Sequence, residues 1–344
     1  MPRRSGDGHR LVRWLWTSHS PAARLARAAL VPASLLWQGG MAARRWGFQR
    51  GLFAVRTLPL PSVAIGNLSV GGSGKTPLSA WVAAHYVQRG IKPAILLRGV
   101  GADESEVHRE LVPDALVVPD PDRHAGAVRA VADGAEVIVL DDAYQRMDVA
   151  RDLNICLVSA ESSSAVKWSL PAGPWRERLT AINRADFVVV TRKRADAATA
   201  QRLAAELHAA TGGPVAIAHL ELAALHGLVS RKVHPITTLR GRRVVAASAI
   251  ADPDAFVVQV KRTGAQVQVA TWKDHHQFRD EDIAWLAHAA RRADFVVVTA
   301  KDAVKLRDRW PASVPEPLVA ILQVTFEAGE AALRAALDGV VAHH

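Results

Sequence analysis

The sequence predicts an α/β protein: a parallel sheet with helices on both faces, followed by a smaller C-terminal α/β domain. Two observations carry that prediction. Short apolar runs at 63–65, 93–97, 115–118, 136–140, 154–158, 187–191 and 215–218 alternate with helical stretches such as 77–89 and 124–133, the rhythm of parallel strands joined by crossover helices. The first of these runs passes directly into a glycine-rich loop and then into an amphipathic stretch containing Leu78, Trp81, Val82, His85 and Tyr86. The length of 344 residues suits roughly two domains, each with a sizeable core.

Residues 1–56 form a basic, Trp-rich arm. Ten arginines stand against one acid, Asp7, so this stretch carries +9 of the net +10. The body is close to neutral, and the basic balance therefore makes no case for a nucleic-acid partner. Trp14, Trp16, Trp37 and Trp46 are interleaved with the arginines, and the longest uncharged run, Ala28 to Ala43, has 16 residues and includes Pro32, Gly39 and Gly40. That falls short of the ~20 apolar residues a spanning helix needs. The pattern predicts contact with the headgroup layer of an anionic membrane, rings at the acyl boundary and guanidinium groups on phosphates; the competing reading is a basic helix packed on the protein's own domain. Arginines on both sides of the apolar part, and no A-x-A-like site, argue against a signal peptide. The single cysteine, Cys156, excludes an internal disulfide and fits a reducing compartment.

The strand at Val63-Ala64-Ile65 opens the nucleotide reading. It is followed by Gly66-Asn67-Leu68-Ser69-Val70-Gly71-Gly72-Ser73-Gly74-Lys75-Thr76. Gly71, Gly72 and Gly74 let the backbone curl so that its N–H groups, from Ser69 and Val70 through Ser73, point inward at an anion. Lys75 adds a point charge and the helix beginning near Thr76 adds its positive end. The Thr76 hydroxyl suits the Mg²⁺ that accompanies a nucleotide triphosphate. The strict pattern G-x-x-x-x-G-K-[ST] places glycine where Ser69 stands, but the strand before and helix after support a P-loop NTPase-type sheet.

Beyond this loop the apolar runs define the domain over 57–222, in which 195–210 reads as a helix closed by Gly212-Gly213. Residues 215–240 lack a helical period and read as a paired-strand connector. Strand and helix resume over 223–344, with strands at 243–250, 266–270, 295–299 and 318–322 and helices at 253–263, 280–291 and 327–340.

Several acids and bases follow strands. Glu136-Val-Ile-Val-Leu-Asp141-Asp142 is an apolar strand ending in two carboxylates at the edge where ligands bind in parallel sheets, placed to hold Mg²⁺ directly or through water. Asp103 and Glu104, in a loop after the 93–97 strand, could serve as a general base toward a hydroxyl, and Arg123 could meet a phosphate. Leu170-Pro-Ala-Gly-Pro-Trp-Arg176-Glu177 is a rigid loop carrying a charge pair. Asp274-His275-His276 ends a stretch of strand character; adjacent histidines on an extended chain face opposite ways, which disfavours a two-His metal site, whereas the acid beside His275 could orient it for proton transfer. Lys301 and Lys305 follow another strand.

Taken in order, these motifs resemble the tetraacyldisaccharide 4'-kinase family: Arg44-Arg45 and Arg50-Gly51, the loop from Gly66 to Pro77, Arg98-Gly99, Asp103-Glu104, Arg123, Asp141-Asp142 with Gln145 and Arg151-Asp152, Leu170 to Glu177, Asp274-His275-His276 with Phe278, and Lys301 to Lys305. The resemblance implies an ATP- and Mg²⁺-dependent kinase that phosphorylates the 4'-hydroxyl of tetraacyldisaccharide 1-phosphate, an acylated disaccharide phosphate of lipid A synthesis. It also implies a peripheral enzyme on the cytoplasmic face of the inner membrane, with no obligate protein partner. By the same resemblance Asp103, paired with His275, activates the sugar hydroxyl, with Lys75 and Asp274 in the catalytic set. Ser69 to Thr76 and Gln145 hold nucleotide; Asn67, Arg123, Arg176 and Glu177 hold substrate; Thr76, Asp141 and Asp142 hold metal. The chain departs from the family pattern at Val100, Ala143, Arg146 and Ala300. The alternatives are a membrane-associated P-loop switch ATPase and a catalytically weakened relative of the lipid kinase.

Overall fold

The computed structural model describes residues 7–99, 102–162 and 166–342; Val100, Gly101 and the start of the arm lie outside the described residues. The elements in order are α1 (Asp7–Thr17), α2 (Pro21–Gln49), β1 (Ser62–Asn67), α3 (Lys75–Val87), β2 (Pro93–Leu97), α4 (Ala102–Leu111), β3 (Leu116–Pro119), α5 (Arg123–Ala132), β4 (Val137–Leu140), β5 (Leu153–Ser159), β6 (Phe187–Arg192), α6 (Ala197–Thr211) and β7 (Val215–Gly227). They are followed by β8 (Val233–Pro235), β9 (Arg243–Ser248), α7 (Pro253–Arg262), β10 (Gln266–Thr271), α8 (Asp280–Ala290), β11 (Phe295–Thr299), α9 (Ala300–Leu306), β12 (Leu318–Ala328) and α10 (Glu330–Ala342).

The chain forms two compact units, one of Val12–His219 with Val324–His344, the other built on Leu220–Gln323. From Val12 onward the arm groups with the larger unit, and the final helix groups there too.

In the larger unit the strands pair in the order β7-β6-β5-β1-β4-β2-β3, and each pairing is parallel. Successive residues alternate between two buried faces. Val63 and Ile65 of β1, Val137 and Val139 of β4 and Ile155 and Leu157 of β5 pack with Leu78, Val82 and Tyr86 of α3 and Leu333 and Leu337 of α10. The opposite face packs Ala64, Ile138 and Leu140 against Ala127 and Ala130 of α5, and Cys156 and Val158 against Ala200 and Leu207 of α6. Burial on both faces is why these strands read as unbroken apolar runs. Gly329, at φ +77, turns the chain from β12 into α10 where an added Cβ would lie 2.8 Å from Ala216 Cα; the approach of backbone to backbone there requires glycine.

In the smaller unit β10, β9, β11 and β12 pair in that order, all parallel. Val245 and Ala247 pack with Trp272, Phe278 and Leu286, while Val244 and Ala246 pack with Phe256 and Val260. The later half of β7 pairs antiparallel with β8, Leu225 opposite His234, the paired strands expected of the connector.

The arm is helical and docked. Ser20 caps α2 through its hydroxyl, which accepts from Ala23 N. The helix runs 29 residues through Pro32, Gly39 and Gly40, and side-chain contacts compensate for these poor helix formers. Ser34 Oγ donates to Ser169 O at 2.9 Å and accepts from Ala172 N at 3.1 Å, Trp37 Nε1 donates to Arg176 O at 2.8 Å, and Trp16 Nε1 donates to Pro171 O at 3.0 Å. The expected packing of a basic helix on its own domain is thus present on one face. The other face is open: Leu25 is 75% exposed and Leu36 is 78% exposed, about three full turns apart and on the side opposite Ala23 and Ser34. Among the described residues no helix is long and apolar enough to cross a membrane.

Candidate active site

β1 lies inside the sheet with β4 on one side and β5 on the other, while the chain proceeds from β1 to β2 by way of α3. Strands that leave a central strand in opposite directions open a crevice at their carboxyl ends. The loop 68–74 leaves β1 there. Gly71 at φ +128 and Gly74 at φ +88 place the chain where side-chain-bearing residues are strained, and a Cβ at Gly71 would touch nothing within 4 Å, so the surface above the loop is open to a ligand. Ser73 is fixed from two sides, its hydroxyl accepting from Asn67 Nδ2 at 2.7 Å and its carbonyl accepting from Thr191 Oγ1 at 2.8 Å. α3 begins at Lys75 with no acid in its first turn, leaving its N–H groups and dipole to an anion. These features fit the phosphates of a nucleotide.

The rigid loop 170–177 forms one wall of the cradle. Val70 N donates to Pro174 O at 2.7 Å and Arg176 N donates to Leu68 O at 2.8 Å. Glu177 is buried and receives Arg184 in a bidentate pair, both bonds at 2.7 Å. Gln145 Nε2 bridges Asn67 O at 2.8 Å and Glu177 Oε1 at 3.3 Å. Lys193 Nζ donates to Gly72 O at 2.6 Å from the turn after β6, and that turn is anchored by Glu161, which accepts from Lys193 N, Arg194 N and Ala195 N at 2.7, 2.9 and 3.1 Å. Burial pushes the Glu161 carboxyl up, but the Ser159 hydroxyl and these three N–H groups outweigh it and hold it at about 2. A depressed carboxyl contributes stability above its unfolded value that is lost as pH falls through the folded one. The melting temperature should therefore fall as pH drops from about 4.5 toward about 2, and Glu161→Gln should remove part of that slope; an unchanged slope in the variant would assign the acid lability elsewhere.

β4 delivers the paired acids. Asp141 is buried: Oδ1 accepts from Ser79 Oγ at 2.9 Å and Asp142 N at 3.0 Å, and Oδ2 lies 3.0 Å from His108 Nε2. Burial raises its carboxyl, yet the hydrogen bond and charge of His108, the Ser79 bond and Lys75 together bring it well below the usual range. Asp142 adopts a left-handed backbone, φ 49, and is turned outward, with Oδ1 3.6 Å from Lys75 Nζ and 3.2 Å from the Arg176 guanidinium. The two acids therefore differ. Asp142 and Thr76 offer oxygens at the crevice, and Mg²⁺ takes one or two carboxylates with phosphate oxygens and water, so this donor set suits it; Asp141, with both oxygens engaged by the protein, is placed to support the metal region from behind.

The expected substrate residues also divide. Asn67 is fully buried and bonds Ser73 and Lys75, the latter at 3.5 Å; Arg123 is buried and donates to Asp120 O at 2.5 Å and Asp141 O at 3.4 Å; Glu177 is held by Arg184. The polar side-chain atoms of Asn67 and Glu177 face protein partners, whereas Arg123 Nε is buried and makes no hydrogen bond among the described residues. Arg176 is the member with an open side. Asp103 lies in the first turn of α4, not in a loop. The sequence reading missed this helix: Val107 and Leu111 supply only two apolar positions, four apart, in an otherwise polar stretch, and His108 beside them drew no attention.

In the smaller unit Asp274 and His275 form a turn, with His275 at φ 58 and its N–H donating to Ala249 O at 3.2 Å. The segment is not extended, so the histidines part for another reason: His275 is exposed on the turn, whereas His276 Nε2 bonds Asp282 Oδ2 at 2.8 Å beside Trp272. Asp274 Oδ2 lies 3.9 Å from His275 Nε2. Asp302 is fully buried, accepting from Thr299 Oγ1 at 2.6 Å and from Ala249 N at 3.1 Å, and so steadies the same Ala249 that receives His275.

A strand, a curled glycine loop, a helix starting at Lys75 and an acid at the end of the adjacent parallel strand define a P-loop nucleotide-binding protein. The sequence profile described as tetraacyldisaccharide-1-P 4'-kinase matches residues 26–342, and the chain belongs to that family. It is similar to the tetraacyldisaccharide 4'-kinase of Geobacter sulfurreducens, 33% identical over 93% of this chain and 95% of that one. It is also similar to that of Anaeromyxobacter dehalogenans, 36% identical over 85% of each chain. The crystal structure of LpxK from Aquifex aeolicus in complex with ATP matches with a TM-score of 0.71 and 25% identity, covering 92% of this chain and 99% of that one. The protein is thus an ATP-dependent kinase of lipid A synthesis, acting on a lipid disaccharide phosphate.

Proposed function

We propose that the larger unit transfers the γ-phosphoryl group of ATP to the 4'-hydroxyl of tetraacyldisaccharide 1-phosphate, with the residues of the crevice in the following roles. The backbone N–H groups of Gly71, Gly72 and Gly74 and the start of α3 hold the phosphates, and Lys75 offsets their charge as it shifts toward the leaving oxygen. Thr76 and Asp142 would hold Mg²⁺, which would supply neutralisation of the phosphate charge. Arg176, drawn toward Asp142 across the crevice mouth, steers the anionic groups. Asp103 accepts the proton of the attacking hydroxyl. Asn67, Arg123, Gln145 and Glu177 keep the loop and its neighbours in register. The open glycine cradle ending at Lys75 is the observation that carries this reading. Its test is transfer of label from γ-labelled ATP to the tetraacyldisaccharide 1-phosphate; ATP hydrolysis without a labelled lipid would favour a switch ATPase.

The same reading places α2 on an anionic membrane surface, the face the lipid acceptor would present. Leu25, Leu36, Trp46 and Phe53 are exposed, with Arg24, Arg44, Arg45 and Arg50 in the same stretch, a combination suited to the interfacial layer. Leu25→Glu with Leu36→Glu should weaken binding to vesicles containing phosphatidylglycerol by at least about tenfold, since each buried leucine is worth about 1.5–3 kcal/mol. Equal cosedimentation of variant and parent protein would remove α2 from the membrane.

A further inference from the structure

His108 has no role in the reaction as derived so far, yet it is buried beside the groups that do. It sits on α4, five residues after Asp103, with no exposure of its side chain. Nε2 lies 3.0 Å from Asp141 Oδ2, and since an ionised carboxylate only accepts, Nε2–H is the donor. Nδ1 is buried and makes no hydrogen bond among the described residues. A buried imidazole with one nitrogen unpartnered is unfavourable for stability, and its single bond runs to one place, the acid at the end of β4. That same carboxylate takes the hydroxyl of Ser79 at 2.9 Å, and Ser79 lies one turn after Lys75 and Thr76 on α3. One buried carboxylate therefore ties together the helix that starts at the phosphate loop and the helix that starts with Asp103.

We propose that His108 is a positioning residue: through Asp141 it fixes the helix bearing Asp103 to the helix bearing Lys75 and Thr76, and so sets the distance between the base and the phosphate. The inference rests on Asp103 as the base. Groups held this way influence rate because small displacements of a reacting pair are costly in rate, and residues that orient others typically account for about 10–100-fold in activity. Arg123 meets the same junction from a third element, donating to Asp141 O at 3.4 Å, but it reaches the backbone and not the carboxylate, so it cannot replace the His108 bond.

The test compares His108→Leu, which keeps volume and loses the donor, with His108→Gln, whose amide N–H can reach the same carboxylate. His108→Leu should lower kcat for phosphate transfer by about 10–100-fold, with KM for ATP and for the lipid moving less than about threefold, and should quicken amide hydrogen exchange in α4 while α5 is unchanged. His108→Gln should recover most of the rate and the protection. Parental kcat in His108→Leu would overturn the proposal, as would equal losses in the two variants or a fall in kcat matched by a fall in ATP-binding stoichiometry, which would mark misfolding. Asp103→Asn assayed in parallel keeps the two readings apart. Its full activity alongside an impaired His108→Leu would defeat the base assignment; its inactivity alongside an unimpaired His108→Leu would defeat the positioning role alone.

Discussion

Lys75→Ala should abolish phosphate transfer, with kcat/KM reduced by about a thousandfold or more, while the protein stays folded. Removing one preorganised electrostatic contact to a developing oxyanion typically costs about 10²–10³ in rate, and Lys75 is the ammonium that the cradle itself delivers, at the first position of α3. Its surroundings support a charge-stabilising role: Nζ lies 3.5 Å from Asn67 Oδ1 and 3.6 Å from Asp142 Oδ1, contacts loose enough to yield to a phosphate. The side chain is 16% exposed and belongs to no core cluster, so its loss should leave the melting temperature within a few degrees of the parent. Transfer within about tenfold of the parent rate would remove Lys75 from the phosphate and with it the central role of the loop.

Asp103→Asn should be the second severe variant, lowering kcat by about 10²–10⁴, the usual worth of a positioned general base, with ATP binding retained. The transition state of phosphoryl transfer is loose, and much of the catalysis lies in positioning and charge neutralisation, so the loss should sit toward the lower end of that range. Asparagine keeps the shape and the polar first turn of α4 but cannot accept a proton. A variant with unaltered kcat would transfer the role of base away from Asp103, and His275→Ala would then be the next to measure.

The strands of the larger unit were legible because they are buried on both faces, and the loop after β1 was legible because glycines, lysine and threonine at that spacing admit few other uses. Asp141 and Asp142 were read as a like pair, and only the fold separates them. The left-handed turn at Asp142 sends one carboxylate outward and leaves the other facing His108 and Ser79, a difference that no pattern of residue types encodes. His108 was invisible for a similar reason: its partner is 33 residues away in sequence, and α4 has too few apolar positions to announce itself. The arm shows the opposite case. Its composition pointed to an amphipathic helix, and the helix is there, but the donors that dock it, Trp16 and Trp37, are the side chains that composition had assigned to a lipid boundary.

Because α10 follows the whole of the smaller unit in the chain and yet packs Leu333 and Leu337 against the sheet behind α3, the nucleotide-binding unit is written in two instalments. On the ribosome its strands emerge early and wait; the segment Leu220–Gln323 is fully synthesised before the last piece of the first unit leaves the exit tunnel. Domains fold as units, so the larger unit can complete the core that takes Leu333 and Leu337 only after the intervening segment has been synthesised.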